Sequence, residues 1–477
     1  MNTALADAPP SADKYRLRWM AASVVLAANI MDLLDATIVN VAGPSIHADL
    51  GGGNSTIQWL SAGYTLAFAV FLIAGARMGD ILGRRRLFLI GSAGFTVLSA
   101  ACALAPDVDV LIALRALQGA FGALMIPQGF GLMKQVFGDD EDDFNKAVGL
   151  FGPVTGLSML AAPILAGALV DADLWGTGWR LVFLINVPVG VILWPFAVHS
   201  LPGGASHPDL KLDLSGVALV GLALVAIIYP LIQGQPAGWP AWAFVLLAVG
   251  VALLFAFLVH ERRSTGDSLI EPTLFANRTY LSGLAVSLAL FSAFSGLLLC
   301  VSLYGQLGEG WSPIHAGLTL TPMVIGMTIG MVASQALVKK LGRHLLHLGL
   351  ALIAVGATVL GVVAGGGGSP SSWDLVPGLF FVGIGLGLSF GQLFGFILQS
   401  VTMAEVGSAS GVMEAVQQLA TSLGVAVLGT IFFSRFRHGL PPHALAVTAW
   451  TCLVPLSAAF LLVFRLPMQP QEAPPAQ

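Results

Sequence analysis

Long apolar stretches recur along the whole sequence, and each is long enough, at about 20 residues, to cross the hydrocarbon core of a bilayer as a helix. A chain in hydrocarbon must satisfy its own backbone hydrogen bonds, so such stretches predict helices. We number them as spans 1 to 14. They fall at about 18–42, 58–78, 87–106, 110–134, 147–170, 180–199, 214–234, 242–260, 280–303, 314–338, 345–364, 375–400, 408–433 and 444–465. The sequence therefore predicts an all-α integral membrane protein with fourteen transmembrane helices.

The composition argues against several other classes of protein. Only 10% of the 477 residues are charged, whereas a soluble domain carries about 25%. The 21 Lys and Arg against 25 Asp and Glu leave a net charge of −4 and no basic domain for a nucleic acid. The three cysteines lie far apart, and the nine histidines lack the spacing of metal ligands. We therefore expect no nucleic-acid partner, no metal site and no cofactor.

The Lys and Arg residues between the spans predict the orientation of the chain. Seventeen lie in segments on the side of the N-terminus and only Arg180, Arg435 and Arg437 on the opposite side, which with Arg115 inside span 4 accounts for all 21. Short cytoplasmic loops carry an excess of these residues. We therefore expect both termini to be cytoplasmic, in a multi-pass protein of the plasma membrane, which in a bacterium is the inner membrane.

Four ionisable residues fall well inside the spans: Asp32 and Asp35 in span 1, Arg115 in span 4 and Glu414 in span 13. Charges at membrane depth are costly and usually face a partner or a water-filled cavity. From the helical rise, Asp35 lies about 24 Å above the inner edge and Arg115 about 8 Å below the outer edge. In a layer of roughly 30 Å these heights are similar, so the two residues are predicted to pair. Glu414, about six residues into its span, is predicted to form a separate, lower site.

A polar stripe on span 1 predicts a substrate cavity. Asn29, Asp32 and Asn40 fall within an arc of about 80° on an otherwise apolar helix. We expect Asn29 and Asn40 to line the cavity, together with Gln118 and Tyr64. A carboxylate that alternates between a dry site and a site beside an arginine changes its proton affinity, as a proton-coupled carrier requires. The alternative is that the buried carboxylates form a fixed polar network that only orients helices.

Several sequence motifs resemble those of the major facilitator superfamily. The loop after span 2 reads MGDILGRRRLF and is similar to that family's motif A, with Asp80, Gly83, Arg84 and Arg85 in place. The segment LIALRALQGAFGA in span 4 resembles motif B. The segments LDATIVNVAGPSI in span 1 and WRLVFLINVPVG at the start of span 6 are similar to patterns of the fourteen-helix drug:proton antiporters, the multidrug efflux branch of the family.

The resemblance implies a domain organisation and moving parts. It implies two six-helix bundles, at 1–200 and 275–477, with spans 7 and 8 inserted at 201–274. It also implies that Asp80, Gly83, Arg84 and Arg85 form a latch, in which the aspartate binds loop arginines and the N-terminus of a helix in the other bundle. Motif C, which marks antiporters, is matched by Pro163 and Gly167, with Pro153 upstream, and implies a bent span 5. Alanines at 162 and 166 replace its usual glycines.

The function implied is proton-coupled antiport. We expect a monomer that exports lipophilic drugs or antibiotics, cationic ones included, by alternating access and uses the proton gradient as its energy source, with Asp32, Asp35, Arg115 and Glu414 as the proton-coupling residues. One alternative is an exporter or proton symporter of a specific endogenous metabolite. Another is a membrane enzyme that uses Asp32 and Asp35 as acid and base. The sequence shows no phosphate loop, nucleophile motif or metal cluster for such an enzyme, so we expect a transporter.

Overall fold

The structure is a computed structural model that describes residues 12–53, 55–137, 143–144, 146–147, 150–203, 212–263, 272–401, 406–436 and 441–468. Every regular element in these residues is helical. Thirteen helices in them are long and apolar enough to cross a membrane, and the apolar stretch Ala161–Ala172 marks the remaining predicted span. The predicted fold class, an all-α integral membrane protein, is confirmed.

The first six spans are Ala12–Leu50, Ser55–Leu82, Arg84–Ala103, Val108–Phe137, Phe151–Ala172, and a broken sixth made of Leu181–Leu184 and Asn186–Ser200. Spans 7 and 8 are Leu214–Gln233 and Ala241–Arg263. The last six are Arg278–Leu303, a broken tenth made of Pro313–Thr319 and Thr321–Leu341, then His344–Gly365, Ser372–Leu398, Val406–Phe436 and Pro441–Val463. Span 1 is longer than predicted, because its helix begins before the apolar stretch and continues past it to Leu50.

The packing of spans 1–6 recurs in spans 9–14 with a shift of eight spans. Span 4 packs against spans 2 and 3, and span 12 packs in the same way against spans 10 and 11. Spans 1 and 5 correspond likewise to spans 9 and 13. The turns before spans 3 and 11 also match, because each contains a glycine with positive φ, Gly83 at 92° and Gly342 at 49°, followed by an arginine. We call these two sets of spans the first and second halves; the predicted boundaries 1–200, 201–274 and 275–477 remain a prediction.

Hydrogen bonds join the halves at the ends of the spans that are predicted to face outward. Gln58 of span 2 donates from its Nε2 to the carbonyl oxygens of Val425 and Ala426 in span 13, at 3.2 and 3.3 Å. Gln306, after span 9, donates to the carbonyl oxygen of Val41 in span 1 at 2.9 Å. Because these bonds lie on the same side of the membrane, the structure is closed at its predicted outer side.

Glycines allow spans 5 and 10 to approach closely at the same side. A Cβ at Gly317 would overlap the carbonyl group of Pro163, and a Cβ at Gly167 would overlap the backbone of Ile314. Small residues let helices pack backbone to backbone in lipid, where apolar burial alone gives little net attraction. The contact between spans 5 and 10 therefore depends on these two positions having no side chain.

Spans 7 and 8 pack against each other, and span 7 also packs against spans 2 and 13, one from each half. The Thr430 hydroxyl of span 13 donates to the carbonyl oxygen of Leu231 in span 7 at 2.7 Å. At the other end of the pair, His260 Nε2 hydrogen-bonds Asp213, the N-cap of span 7, at 2.7 Å. Burial raises the pKa of Asp213, but hydrogen bonds from Ser215, Gly216 and His260 outweigh it and lower the pKa below its ordinary value.

We predict that Gly317→Ala opens the outer side of the protein. Its Cβ cannot fit against Pro163 in the closed state, so the closed state loses population. If the closed state is destabilised by about 1.4 kcal/mol relative to the open state, the ratio of open to closed protein rises tenfold. The measurement is alkylation of a Thr37→Cys reporter in cells by a membrane-impermeant maleimide; the three native cysteines are buried.

The matched control is Gly391→Ala, since a Cβ at that position in span 12 meets nothing within 4 Å. Both variants replace a helical glycine by alanine and gain the same helix propensity, about 1 kcal/mol. The reporter should react faster in the Gly317→Ala background only. Equal rates in the two backgrounds would show that the close approach of spans 5 and 10 does not control closure.

Candidate functional site

Asp35 lies at the centre of a buried polar network in the first half. Its carboxylate forms an ion pair with Arg115, and both side chains are fully buried. Gln118 Nε2 donates to Asp35 Oδ1 at 3.0 Å, and Asn186 Nδ2 donates to the same oxygen at 2.8 Å. The pairing of Asp35 with Arg115 that was predicted from their depth is confirmed. Asp35 thus has one full counter-charge and two neutral donors.

Five spans contribute to this network. Arg115 and Gln118 lie three residues apart on span 4, on one face of the helix, and Arg115 Nη1 donates to Gln118 Oε1 at 2.7 Å. Span 2 supplies the carbonyl oxygen of Leu60, which accepts from Arg115 Nε at 3.3 Å. Span 3 supplies Ser99, whose hydroxyl accepts from Gln118 at 2.7 Å and from Asn186 at 3.3 Å. Each polar side chain that binds Asp35 therefore makes at least one further hydrogen bond to a neighbour.

Aromatic rings complete the surroundings of Arg115. The Arg115 Cζ atom lies 4.2 Å from the centre of the Tyr64 ring and 5.6 Å from that of Phe183. Arg115 Nη2 is buried and has no hydrogen-bond partner among the described residues. A guanidinium over an aromatic face is attracted by the ring quadrupole, so the rings take the place of an acceptor. The Tyr64 hydroxyl donates to Asp32, and Tyr64 thereby links Asp32 to Arg115.

The two aspartates of span 1 consequently lie in different electrostatic surroundings. Asp35 is fixed by an arginine and two amides, so adding a proton to it would break a buried ion pair, which is strongly destabilising. Asp32 is 5% exposed, and its hydrogen bond within the described part of the chain comes from the neutral Tyr64 hydroxyl. Gain or loss of a proton at Asp32 breaks no ion pair between described residues. Of the two, Asp32 is the better suited to exchange a proton.

Glu414 lies closer to this network than its position along span 13 predicted. It interacts electrostatically with Asp32, and its neighbour Ala415 packs into the apolar cluster of the first half. The prediction of a separate site is therefore wrong. Span 13 begins at Val406 and runs for 31 residues, longer than a perpendicular crossing of about 20, so a residue count from an assumed edge is not a depth.

The residues predicted to line a substrate cavity divide into two groups. A small cavity between the halves is lined by residues of spans 1, 5, 9 and 10. Gln118 and Tyr64 are fully buried within the Asp35 network and do not line this cavity. Asn29 donates to the carbonyl oxygen of Val25 in its own helix at 3.1 Å. Asn40 does line that cavity. The structure thus places Gln118 and Tyr64 in the Asp35 network, where Gln118 contacts Asp35 and Tyr64 contacts Arg115.

The motif A residues are connected mainly within the first half. Asp80 accepts from Arg84 at 2.9 Å, and Gly83 provides the positive φ of the turn. Arg85 donates to the carbonyl oxygen of Val198, at the end of span 6, at 2.5 Å. The predicted contact of Asp80 with a helix N-terminus in the second half stays a prediction, since residues 402–405, before span 13, lie outside the described part.

The motif C residues belong to span 5. Pro163 is inside the helix Phe151–Ala172 and Gly167 lies one turn later. Pro153 falls in the first turn, where proline is tolerated because the amide there has no helical acceptor; its side chain lies outside the described part. The close contact with span 10 described above uses Pro163 and Gly167, so these two positions serve packing between the halves. A bend of span 5 at these prolines stays a prediction.

Asn186 is a site residue that the sequence analysis did not identify, although its motif was recognised. Four residues of the motif WRLVFLIN contact spans 1 and 4. Trp179 and Arg180 donate to Asp49 at the end of span 1, at 2.9 and 2.7 Å, Phe183 lies over Arg115 and Asn186 binds Asp35. These residues tie span 6 to span 1. The spacing of 179, 180, 183 and 186 on one helical face was the available signal.

One further group was also not predicted. Asp213, His260 and Glu261 bring three potential metal ligands within 4.8 Å of one another at the end of spans 7 and 8. Asp213 and His260 are 47 residues apart, so no short spacing motif marks the group. It belongs to the inserted spans and shares no residue with the Asp35 network.

Comparison with known proteins gives a consistent family. A model of the Major Facilitator Superfamily matches residues 25–214 and 213–425. A probable actinorhodin transporter of Streptomyces coelicolor is 49% identical over 88% of this chain and 73% of its own length. The tetracenomycin C resistance and export protein of Streptomyces glaucescens is 33% identical over 89% and 77%, and the puromycin resistance protein pur8 of Streptomyces alboniger is 33% identical over 87% and 82%.

Solved structures show the same fold at low sequence identity. A POT family transporter in complex with a thioalcohol-conjugated peptide superimposes with a TM-score of 0.68 at 15% identity, covering 94% of this chain and 96% of that one. A bacterial homologue of human drug peptide transporters gives 0.62 at 16%, covering 94% and 97%. At this identity the likeness concerns the arrangement of helices alone.

We predict that Arg115→Leu destabilises the protein by about 3–5 kcal/mol, because it leaves Asp35 as an unpaired buried charge. The double variant Asp35→Asn, Arg115→Leu should recover much of this loss, since no charge is then left without a partner. The measurement is the midpoint of thermal unfolding of the purified protein in detergent. The control is Arg180→Leu, which removes a solvent-exposed ion pair worth about 0–1 kcal/mol. Additive losses in the double variant would contradict an obligatory pair.

Proposed function

The chain belongs to the major facilitator superfamily, and we propose that it is a proton-coupled antiporter that exports lipophilic drug-like or antibiotic compounds. Its relatives are named as transporters, resistance proteins and export proteins, and the chain is a multi-pass membrane protein. The Lys and Arg distribution supports a place in the plasma membrane with both termini in the cytoplasm. We also propose that the protein works as a monomer, needs no cofactor and takes its energy from the proton gradient.

The observation that carries the proposal is the unequal fixation of two buried aspartates on one helix. Asp35 is fixed by Arg115, Gln118 and Asn186. Asp32, by contrast, accepts a hydrogen bond from Tyr64 and interacts electrostatically with Glu414 of the second half. Two nearby carboxylates disfavour the state in which both are ionised. With the halves in this arrangement, the Asp32 and Glu414 pair therefore favours retention of one proton.

The transport cycle follows from this pair. A substrate that enters between spans 1 and 13 separates the two carboxylates, which lowers their repulsion and lets the shared proton leave toward the cytoplasm. Reorientation then carries the substrate to the outer side, where it leaves and a proton from outside binds Asp32. One proton thus moves inward for each substrate that moves outward. Asp35 and Arg115 keep the first half rigid throughout.

A second candidate is export of one specific endogenous metabolite. It is favoured by the relative with 49% identity, which is named for a single compound. The mechanism at Asp32 is the same in both cases, and the difference lies in the range of compounds accepted. A panel of structurally unrelated compounds separates the two, because a specific exporter moves one chemical series only.

We predict that Asp32→Asn abolishes substrate movement driven by an imposed pH gradient in proteoliposomes. It should retain exchange of labelled for unlabelled substrate across the membrane, because exchange requires reorientation but no net proton movement. The control is Asp49→Asn, which removes a half-exposed carboxylate at the end of the same span. Undiminished gradient-driven transport by Asp32→Asn would remove Asp32 from the mechanism, and wild-type transport that ignores the gradient would refute proton coupling.

A further inference from the structure

A small cavity lies between the two halves, apart from the Asp35 network. Its walls include Thr37 and Asn40 of span 1, Pro163 of span 5, Ser302 of span 9, and Met323 and Met327 of span 10. None of the described residues that line it is charged. Its volume is about 30 Å³, enough for one or two water molecules. The cavity therefore lies between four spans, two from each half, and none of the four proposed proton-coupling residues lines it.

Among the polar residues that line this cavity, Asn40 has a side-chain oxygen that no described residue hydrogen-bonds. Its side chain is 8% exposed, and its Oδ1 atom is buried without a hydrogen-bond partner. The Thr37 hydroxyl donates to the carbonyl oxygen of Leu33 at 2.8 Å. The Ser302 hydroxyl donates to the backbone carbonyl oxygen of Asn40 at 3.1 Å and accepts from Gln306 at 3.0 Å. A buried acceptor left unpaired is costly, so Asn40 Oδ1 favours an occupant that brings a donor.

The remaining wall is apolar and adaptable. Met323 and Met327 supply flexible, polarisable side chains, and Phe294 supplies a ring at the same cavity. Methionines repack around ligands of different shape and contact aromatic rings favourably. Asp35, the nearest acid on span 1, is occupied by Arg115 and two amides. The wall thus suits an uncharged, ring-containing compound better than a cationic one.

The cavity also lies at the seam that closes the predicted outer side. Gln306 crosses from the second half to the carbonyl oxygen of Val41, the residue next to Asn40, and Ser302 crosses to the carbonyl oxygen of Asn40 itself. Both bonds must break when the outer ends separate. Separation therefore widens the cavity, and the backbone of Asn40, a residue that lines the cavity, takes part in closure.

We propose that this cavity is the contracted form of a substrate subsite that binds uncharged, ring-containing compounds with a hydroxyl or N–H donor, and that Asn40 Oδ1 accepts the hydrogen bond. The inference rests on the proposed function, because only a transporter that opens between its halves enlarges this space for such a compound. It assigns to Asn40 a role in selecting substrates, whereas Asp32 has its role in proton coupling.

The experiment compares two ligands that differ in one donor. Binding of 2-hydroxyanthracene and of its methyl ether, 2-methoxyanthracene, is measured with the purified full-length protein by equilibrium dialysis at pH 6, where the phenol is uncharged. We expect the phenol to bind wild-type protein about tenfold more tightly than the ether. In Asn40→Leu this preference should disappear, whereas Gln392→Leu, which removes a carboxamide bonded to Ser334 in the second half, should keep it.

The wild-type comparison does not depend on the folding of any variant. Equal affinities of phenol and ether for wild-type protein, or a preference that persists in Asn40→Leu, would overturn the inference. Tetraphenylphosphonium, a lipophilic cation without a donor, should bind Asn40→Leu and wild type equally. If wild-type protein in proteoliposomes transported no compound in response to a proton gradient, the proposed function would be refuted instead. That outcome would leave the measured ligand preference unaffected.

Discussion

The ion pair between Asp35 and Arg115 is the constraint on which the packing of the first half depends. Two charges removed from water gain from their attraction only if the geometry is good and their other hydrogen-bonding atoms are satisfied. This requirement brings donors and acceptors from spans 2, 3 and 6 to the same point, through Leu60, Ser99 and Asn186. The pair therefore specifies which spans are neighbours, whatever its net contribution to stability.

Fixing Asp35 has a consequence for its neighbour on span 1. Because Arg115 is committed to Asp35 and to the Tyr64 ring, Asp32 is left with a neutral partner and with Glu414 across the interface between the halves. A carboxylate that faces the other half changes its surroundings when the halves move, whereas one enclosed by its own half does not. The same helix thus carries a structural aspartate and an exchangeable one.

The sequence was sufficient for the location of the spans and for the common height of Asp35 and Arg115, but not for the depth of Glu414. Hydropathy located the spans, and the fixed rise per residue brought Asp35 and Arg115 to one height. It was insufficient for lateral neighbours. Asn186 and Ser99 are neutral, so no cost at membrane depth marked them, and the proximity of Glu414 to Asp32 depends on the length and placement of span 13. The division of spans 6 and 10 into two helical pieces was also not predicted; each pair of pieces is joined by one residue, Ile185 or Leu320, that keeps right-handed helical dihedral angles.

The two halves share one packing scheme but not one chemistry. In both, glycines bring helix backbones together, as at Gly119 against Tyr64 and at Gly385 against Gly349. Only the first half adds a buried ion pair; among the described residues of spans 9–14 no ion pair is found. A half held together by backbone contacts can be displaced as a unit without breaking an ion pair of its own. Confining the buried ion pair to the first half therefore lets Glu414 and the rest of the second half move past Asp32 while the network around Asp35 stays intact.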